Sequence, residues 1–307
     1  MIPIPLIRLS AALLFCSTAS AAVPKQGSFM FDGEMRTGQY YVPDDLPPTP
    51  VPLVFHLHGG GGDSDTAMDF TTEFRWNELA DRDKFIVVYP EGIDDHWNDC
   101  RGDLPDLPDS DDVGFIAAAI DLVATYFNID QERVYAAGMS NGSMMSLRLA
   151  TELSDRIAAV ACAAGYAAAV NDCGEPENPI SIMLAAGTDD PIVPYEGGEL
   201  AFNRGTVLSA HDTVRLWAGF LQVDPTPSIE PFADAVPGDR CTVTRYLFSG
   251  GLEGTEIAYD DADGGGHAWP GPTQFSWLWR LLNGWKNQDI VYVDEAWEFF
   301  QRHALSN

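Results

Sequence analysis

The amino-acid sequence predicts an α/β fold, a single domain with a mostly parallel central sheet and helices on both faces. Three observations predict it. Short segments such as "KFIVVYPEG" and "PISIMLAAG" are apolar throughout rather than alternating, as strands covered on both faces must be. These runs alternate with segments of helical spacing about 10–15 residues long, the rhythm of crossover connections. No internal repeat and no dividing linker interrupts them, so one domain over residues 22–307 is expected.

The elements follow in order. Residues 1–21 read as a secretory leader: Arg8 is positive, Leu9–Phe15 is apolar, and Ala19, Ser20 and Ala21 are small, with cleavage near Ala21 or Ala22. The apolar run is shorter than the roughly 18 residues of a membrane span, so an extracellular or periplasmic protein is expected. "GSFMFDGEMRTGQYYVP" alternates and turns like an antiparallel hairpin at a sheet edge. "VPLVFHLHGGGG" is an apolar strand ending in glycines, "TTEFRWNELADRD" a helix, and "KFIVVYPEG" a buried strand. "DDVGFIAAAIDLVATYF" opens on Asp before a long apolar face and reads as a capped helix. Strand "RVYAAG", helix "NGSMMSLRLATELS", and strands "IAAVACAAG" and "PISIMLAAG" follow. "LSAHDTVRLWAGF" is then a helix, "TEIAYDD" a strand and "DEAWEFFQRH" a closing helix, while "GYAAAVNDCGEPEN" has the length for a small lid.

Charge removes several function classes. The chain carries 46 acidic and 17 basic residues, a net charge of −29. Nucleic acid and anionic membrane surfaces need Lys and Arg, so neither is expected as a partner. The acids are scattered through loops as a solubilising surface. The acidic run Asp103–Asp112 lacks the spacing of a calcium loop, and no metal site is expected. Loss of the leader removes Cys16 and leaves Cys100, Cys162, Cys173 and Cys241. Four cysteines in an exported chain allow three disulfide connectivities, although Cys162, inside "AAVACAAG", reads as a buried small apolar residue.

One stretch carries chemistry. "AAGMSNGSMM" places Ser140 between Gly138 and Gly142 where a strand hands over to a helix. A nucleophilic serine must stand clear of the sheet on a strained turn, and a side chain two residues either side would strike the neighbouring strand or helix. A sugar on the "NGS" sequon would block the same turn. Serine also needs a base, and the base an orienting acid, in the chain order Ser, Asp, His. Of the histidines after Ser140, His211 and His303 lie in helical segments, whereas His267 lies in the glycine loop "DADGGGHAWPG" after a strand. His267 is the expected base. "AAGTDDPIVPY" supplies the acid: Asp190, stiffened by Pro191, with Asp189 the competitor. The oxyanion needs two donors, expected from the N–H of Asn141 and of Gly60, with Gly61 next. No phosphate-loop pattern follows the glycine run, which sets a nucleotide aside.

Together "LHGGGG", "YPEGIDDHWN", "DDVGFIAAAID", "RVYAAGMSNGSMMSLRLA", "AAGTDDPIVPY" and "GGGHAWPG" resemble the secreted esterase family of polyhydroxybutyrate depolymerases and feruloyl esterases. The resemblance runs from about Gly27 to His303. It implies an α/β-hydrolase fold, no metal or organic cofactor, and cleavage of carboxylic esters by Ser140, Asp190 and His267. Two departures touch the pocket: Ala186-Gly187 stands where relatives often have His-Gly, and Gly60 follows "LHG" where a polar residue or cysteine is common.

The reading is an exported serine carboxylesterase acting on hydroxyalkanoate oligoesters or feruloyl esters, with Trp97 and Trp269 as flat substrate walls. Acetyl or other short-chain carbohydrate esters are the alternative. A non-catalytic binding protein on a hydrolase shell is the remote one, and would show a lost triad member. The expected partner is a small or oligomeric ester.

Overall fold

The computed structural model describes residues 22–104 and 109–306, so the leader and part of the acidic run lie outside it. In chain order the elements are β1 (Lys25–Phe31), β2 (Glu34–Tyr41), β3 (Val51–Leu57), α1 (Arg75–Asp83), β4 (Ile86–Pro90), α2 (Asp112–Tyr126) and β5 (Ile129–Met139). Next come α3 (Asn141–Glu152), β6 (Ala159–Ala163), β7 (Ser181–Gly187), β8 (Gly198–Glu199), β9 (Thr206–Val207) and α4 (Ala210–Leu221). The last are β10 (Ser228–Pro231), β11 (Thr242–Phe248), β12 (Ile257–Asp263), α5 (Trp277–Asn283) and α6 (Tyr292–Phe300).

Ten strands form one sheet in the order β1-β2-β4-β3-β5-β6-β7-β12-β11-β10. The six central strands from β4 to β12 pair in parallel, and the two margins are antiparallel. The expected edge hairpin is β1–β2. Its turn places Asp32 (φ 47°) and Gly33 (φ 83°) in the left-handed region, as a two-residue hairpin turn requires.

Alternation along each strand divides the core into two layers. Leu53, Phe55 and Leu57 of β3 face Phe115, Ile116 and Ile120 of α2, Met144 and Met145 of α3, and Val214 and Trp217 of α4. Val54 points to the opposite layer, with Trp76 and Leu79 of α1 and Trp297 and Phe300 of α6. There Phe300 stacks on Tyr135, centroids 4.6 Å apart, and Phe85 on Trp297 at 4.0 Å. The closing helix therefore seals one face of the sheet. The Asp expected at the start of α2 is its cap: Asp111 accepts the Gly114 N–H.

Five elements depart from the sequence reading: β8, β9, β10, β11 and α5 form from segments it left unassigned. β11 continues the sheet by pairing antiparallel with β12, which therefore has neighbours on both sides. The segment 165–178 is tied down: Cys173 is disulfide-bonded to Cys100, and Gly102 N–H donates to Val170 O. Cys162 and Cys241 are free and buried, and burial pushes each thiol up to about 12. Among the described residues no helix is long and apolar enough to cross a membrane.

Candidate active site

The carboxyl ends of β3, β5, β7 and β12 bring the expected residues to one edge of the sheet, where ligands of open α/β sheets bind. Ser140 stands between β5 and α3 with φ 57° and ψ −120°, a conformation costing of order 1–3 kcal/mol that surrounding structure must enforce. The enforcement is steric. A Cβ on Gly138 would lie 2.3 Å from Gly142 O, and one on Gly142 would lie 2.3 Å from Leu57 O. The two glycines let the elbow press against its own strand and against β3.

Asp190 lies on the turn after β7 and His267 on the glycine loop after β12. His267 Nδ1 donates to Asp190 Oδ2 at 2.8 Å, with both side chains buried. The other carboxylate oxygen accepts the Ile192 and Val193 N–H groups, each at 2.8 Å. Held from both sides, Asp190 fixes the imidazole with Nδ1 protonated and Nε2 free to accept. Asp189 is exposed, and its backbone N–H donates to Gly265 O, so it braces the histidine loop without touching the ring. The Ser140 hydroxyl has no hydrogen-bond partner among the described residues. Serine–histidine contacts in ligand-free sites are commonly long and close when substrate arrives.

Ser140 opens into a groove of about 520 Å³ that it shares with Gly60, Asn141, Met144, Ile192 and Leu200, with Arg101 and Arg204 at its edge. The N–H groups of Gly60 and Asn141 have no partner among the described residues, whereas the Gly61 N–H is taken by Asp95 O at 2.8 Å. The helix α3 also directs its unpaired first amides here.

A network that the sequence reading did not anticipate holds these donors. The Asn141 amide side chain spans the Trp97 backbone, accepting its N–H at 2.8 Å and donating to its carbonyl at 3.0 Å. It donates to Asp99 as well, at 2.7 Å, and the buried Arg101 grips the same carboxylate. His58 bolts the glycine loop in place, Nδ1 donating to Gly59 O and Nε2 accepting the Gly92 N–H. Burial lowers its pKa, which keeps the ring neutral for this double role. Asp99 and Arg101 flank Cys100 in sequence. That was the one available signal, and it reads equally as surface charge.

The tryptophan expectation needs correction for Trp97. It is fully buried, and its indole N–H donates to His58 O at 3.0 Å, so it supports the start of the glycine loop. Trp269 is 2% exposed and packs edge-on against His56 and Tyr292. It reaches only a small cavity of about 40 Å³ beside His267, lined also by Met139, Phe70, Phe275 and Trp279.

Residues 38–193, just over half the chain, match the family described as "Esterase PHB depolymerase". The chain belongs to that family. The protein described as "Putative esterase NocK" from Nocardia uniformis subsp. tsuyamanensis is 30% identical over 78% of this chain and 72% of its own length. "Probable feruloyl esterase C" of Aspergillus niger is 30% identical over 52% of this chain and 57% of its own. A bifunctional acetylxylan esterase/xylanase of Neocallimastix patriciarum is 30% identical over 53% of this chain and only 23% of its own. The match thus spans little more than half, or less, of the latter two relatives. Among solved structures, an acetyl xylan esterase from Aspergillus awamori superposes with TM-score 0.56 at 17% identity, covering 80% of this chain and 94% of that one. A thermostable esterase gives TM-score 0.56 at 16% identity over 92% of this chain and 63% of its own. Both share the mostly parallel sheet with flanking helices, the α/β-hydrolase fold.

Proposed function

We propose that this PHB depolymerase-type esterase is an exported serine carboxylesterase working through an acyl-enzyme. The observation that carries the reading is the buried Asp190–His267 pair at 2.8 Å, on the sheet edge that carries a strained, solvent-facing Ser140. Ser140 Oγ attacks the ester carbonyl carbon while His267 Nε2 takes the hydroxyl proton. The oxygen that becomes negative meets the N–H groups of Gly60 and Asn141, each such donor contributing about 3 kcal/mol. Collapse breaks the bond to the alcohol oxygen, which leaves with the proton from His267. Water, deprotonated by His267, then attacks the acyl-enzyme and releases the acid and Ser140.

The groove wall combines apolar Met144, Ile192 and Leu200 with the ring of Phe202, 79% exposed, while Trp97 is buried. Such a wall suits an aliphatic hydroxyacyl oligoester or a feruloyl ester, with short acyl groups the next class. The leader pattern and the Cys100–Cys173 disulfide support an oxidising compartment. Ser140→Ala should abolish hydrolysis of a small activated ester and leave the circular dichroism spectrum unchanged; more than trace turnover would overturn the mechanism. A kcat/KM comparison of a hydroxybutyrate trimer with methyl ferulate ranks the two substrate classes.

A further inference from the structure

His96 lines the catalytic groove with Ser140, Gly60 and Asn141, and the mechanism above gives it no part. It ends a tight turn after β4. Asp94 and Asp95 both take positive φ, 50° and 60°, and the His96 N–H returns to Ile93 O at 3.0 Å, the geometry of a two-residue hairpin turn. Its neighbours fasten it to both segments that carry the oxyanion donors. Asp95 O accepts the Gly61 N–H at 2.8 Å, and the Trp97 backbone is bonded twice by the Asn141 side chain. The ring lies so close to the glycine loop that a Cβ on Gly60 would be 3.2 Å from both His96 Cδ2 and Nε2.

The hydrogen bonding of the ring defines what it can hold. Nδ1 lies 2.8 Å from Asp94 O, and a carbonyl oxygen only accepts, so Nδ1 carries a proton. In the neutral ring Nε2 is then a bare acceptor, and it has no hydrogen-bond partner among the described residues. It is not a third oxyanion donor, because a lone pair repels developing negative charge. Nor does it repeat the part of His267, since a backbone carbonyl and not a carboxylate stands behind it. The side chain of Asp94, which lines the same groove, adds only further acceptors when ionised. An O–H completes this corner, and an ester substrate brings one as an alcoholic hydroxyl.

We propose that His96 is a specificity-determining residue whose Nε2 accepts a hydrogen bond from a substrate hydroxyl placed a few bonds from the scissile ester. This role rests on the esterase reading above and specifies a chemical feature of its substrate. Because Nε2 sits beside Gly60, the hydroxyl it meets must lie near the ester carbonyl. A 3-hydroxyacyl group, or a hydroxyl on the carbon next to the ester oxygen's own in the alcohol, has that reach. The phenolic hydroxyl of a feruloyl group does not, because it lies at the far end of its ring. The turn holds the imidazole in place before substrate arrives, so little ordering opposes the contact.

The test compares esters that differ by one hydroxyl, at mildly alkaline pH: ethyl 3-hydroxybutyrate against ethyl butyrate for the acyl side, and 2-hydroxyethyl butyrate against propyl butyrate for the alcohol side. In one of the pairs the parent should favour the hydroxylated member in kcat/KM by about tenfold, the size of one neutral hydrogen bond, and that pair identifies the side. His96→Phe keeps a flat ring without an acceptor and should bring the ratio to within twofold of one. Taking the ratio cancels any general loss from disturbing the glycine loop. His96→Gln restores an acceptor oxygen and should recover part of the preference. Ratios near one for both pairs in the parent, or a preference that survives in His96→Phe, would overturn the proposal. Failure of the esterase reading would show instead as no hydrolysis of any of the four esters. Calorimetric affinities of Ser140→Ala for the same pairs need no turnover and then read the His96 contact alone, equal affinities within each pair overturning it.

Discussion

At Asp190, two backbone N–H groups and one imidazole N–H converge on a single buried carboxylate. Its neighbour Asp189 differs by one position and faces solvent. The turn after β7 makes the choice, because adjacent residues leaving a strand point in opposite directions. This ordering predicts a sharp contrast between two isosteric changes. Asp190→Asn should lower kcat by about 10⁴-fold by favouring the wrong imidazole tautomer. Asp189→Asn should stay within twofold; equal losses in both would show that the acid is misassigned. Ser140 and His267 were legible in the sequence because strand, glycines and chain order leave few other positions for them. Asp99, Arg101 and His58 were not, since their roles depend on contacts with Asn141, Arg204, Gly59 and Gly92 that only folding brings within reach.

Among the elements, the strands and helices with clear periodicity were readable, and the exceptions share a cause. β11 pairs at the sheet margin and buries its side chains only partly, so it lacks the continuous apolar run of a central strand. α5 has an apolar run but no core to face, and pattern alone offers no place for it. The segment that carries it is clasped by Glu73, which binds Lys286 Nζ at 2.8 Å and the Thr273 hydroxyl at 2.5 Å, and the clasp gives a pH prediction. Burial pushes the Glu73 carboxyl upward, but hydrogen bonds from Lys286 and Thr273 outweigh it and hold the group below its ordinary value. A carboxylate depressed in the folded state stabilises fully above its unfolded pKa, about 4.3, and loses that contribution as pH falls through the folded value. Glu73→Gln should therefore be less stable than the parent at pH 6–7, and urea midpoints should converge as pH falls below 4. A gap that persists unchanged at pH 3 would mean the clasp is not electrostatic.

For the whole molecule, charge is the dominant departure from a typical globular protein. Acids outnumber bases by 46 to 17, and many of the bases already sit in ion pairs, such as Arg36 with Asp112 and Arg245 with Asp260. The excess negative charge is left to repel itself. Salt screens that repulsion over about 10 Å at 0.1 M, while the exposed pairs it also weakens are each worth only about 0–1 kcal/mol. Raising NaCl from 20 mM to 0.5 M should therefore raise the melting temperature, by roughly 2–4 °C for each kcal/mol of repulsion removed. A fall on adding salt would mean that ion pairs outweigh the repulsion.

The sequence by itself determined the α/β architecture, the esterase family, and the placing of Ser140 on a strand-to-helix turn and His267 on a glycine loop after a strand. Periodicity and turn composition are local properties, and a strand-glycine-serine-glycine-helix run has few physical solutions. Tertiary structure decided which cysteines pair, which of two aspartates bonds the histidine, and that Trp97 supports the glycine loop after β3 instead of lining the groove. It also decided that α5 faces solvent beside His267. Each of these turns on which atoms meet across long stretches of chain, and burial is a property of the packed molecule that no single segment carries.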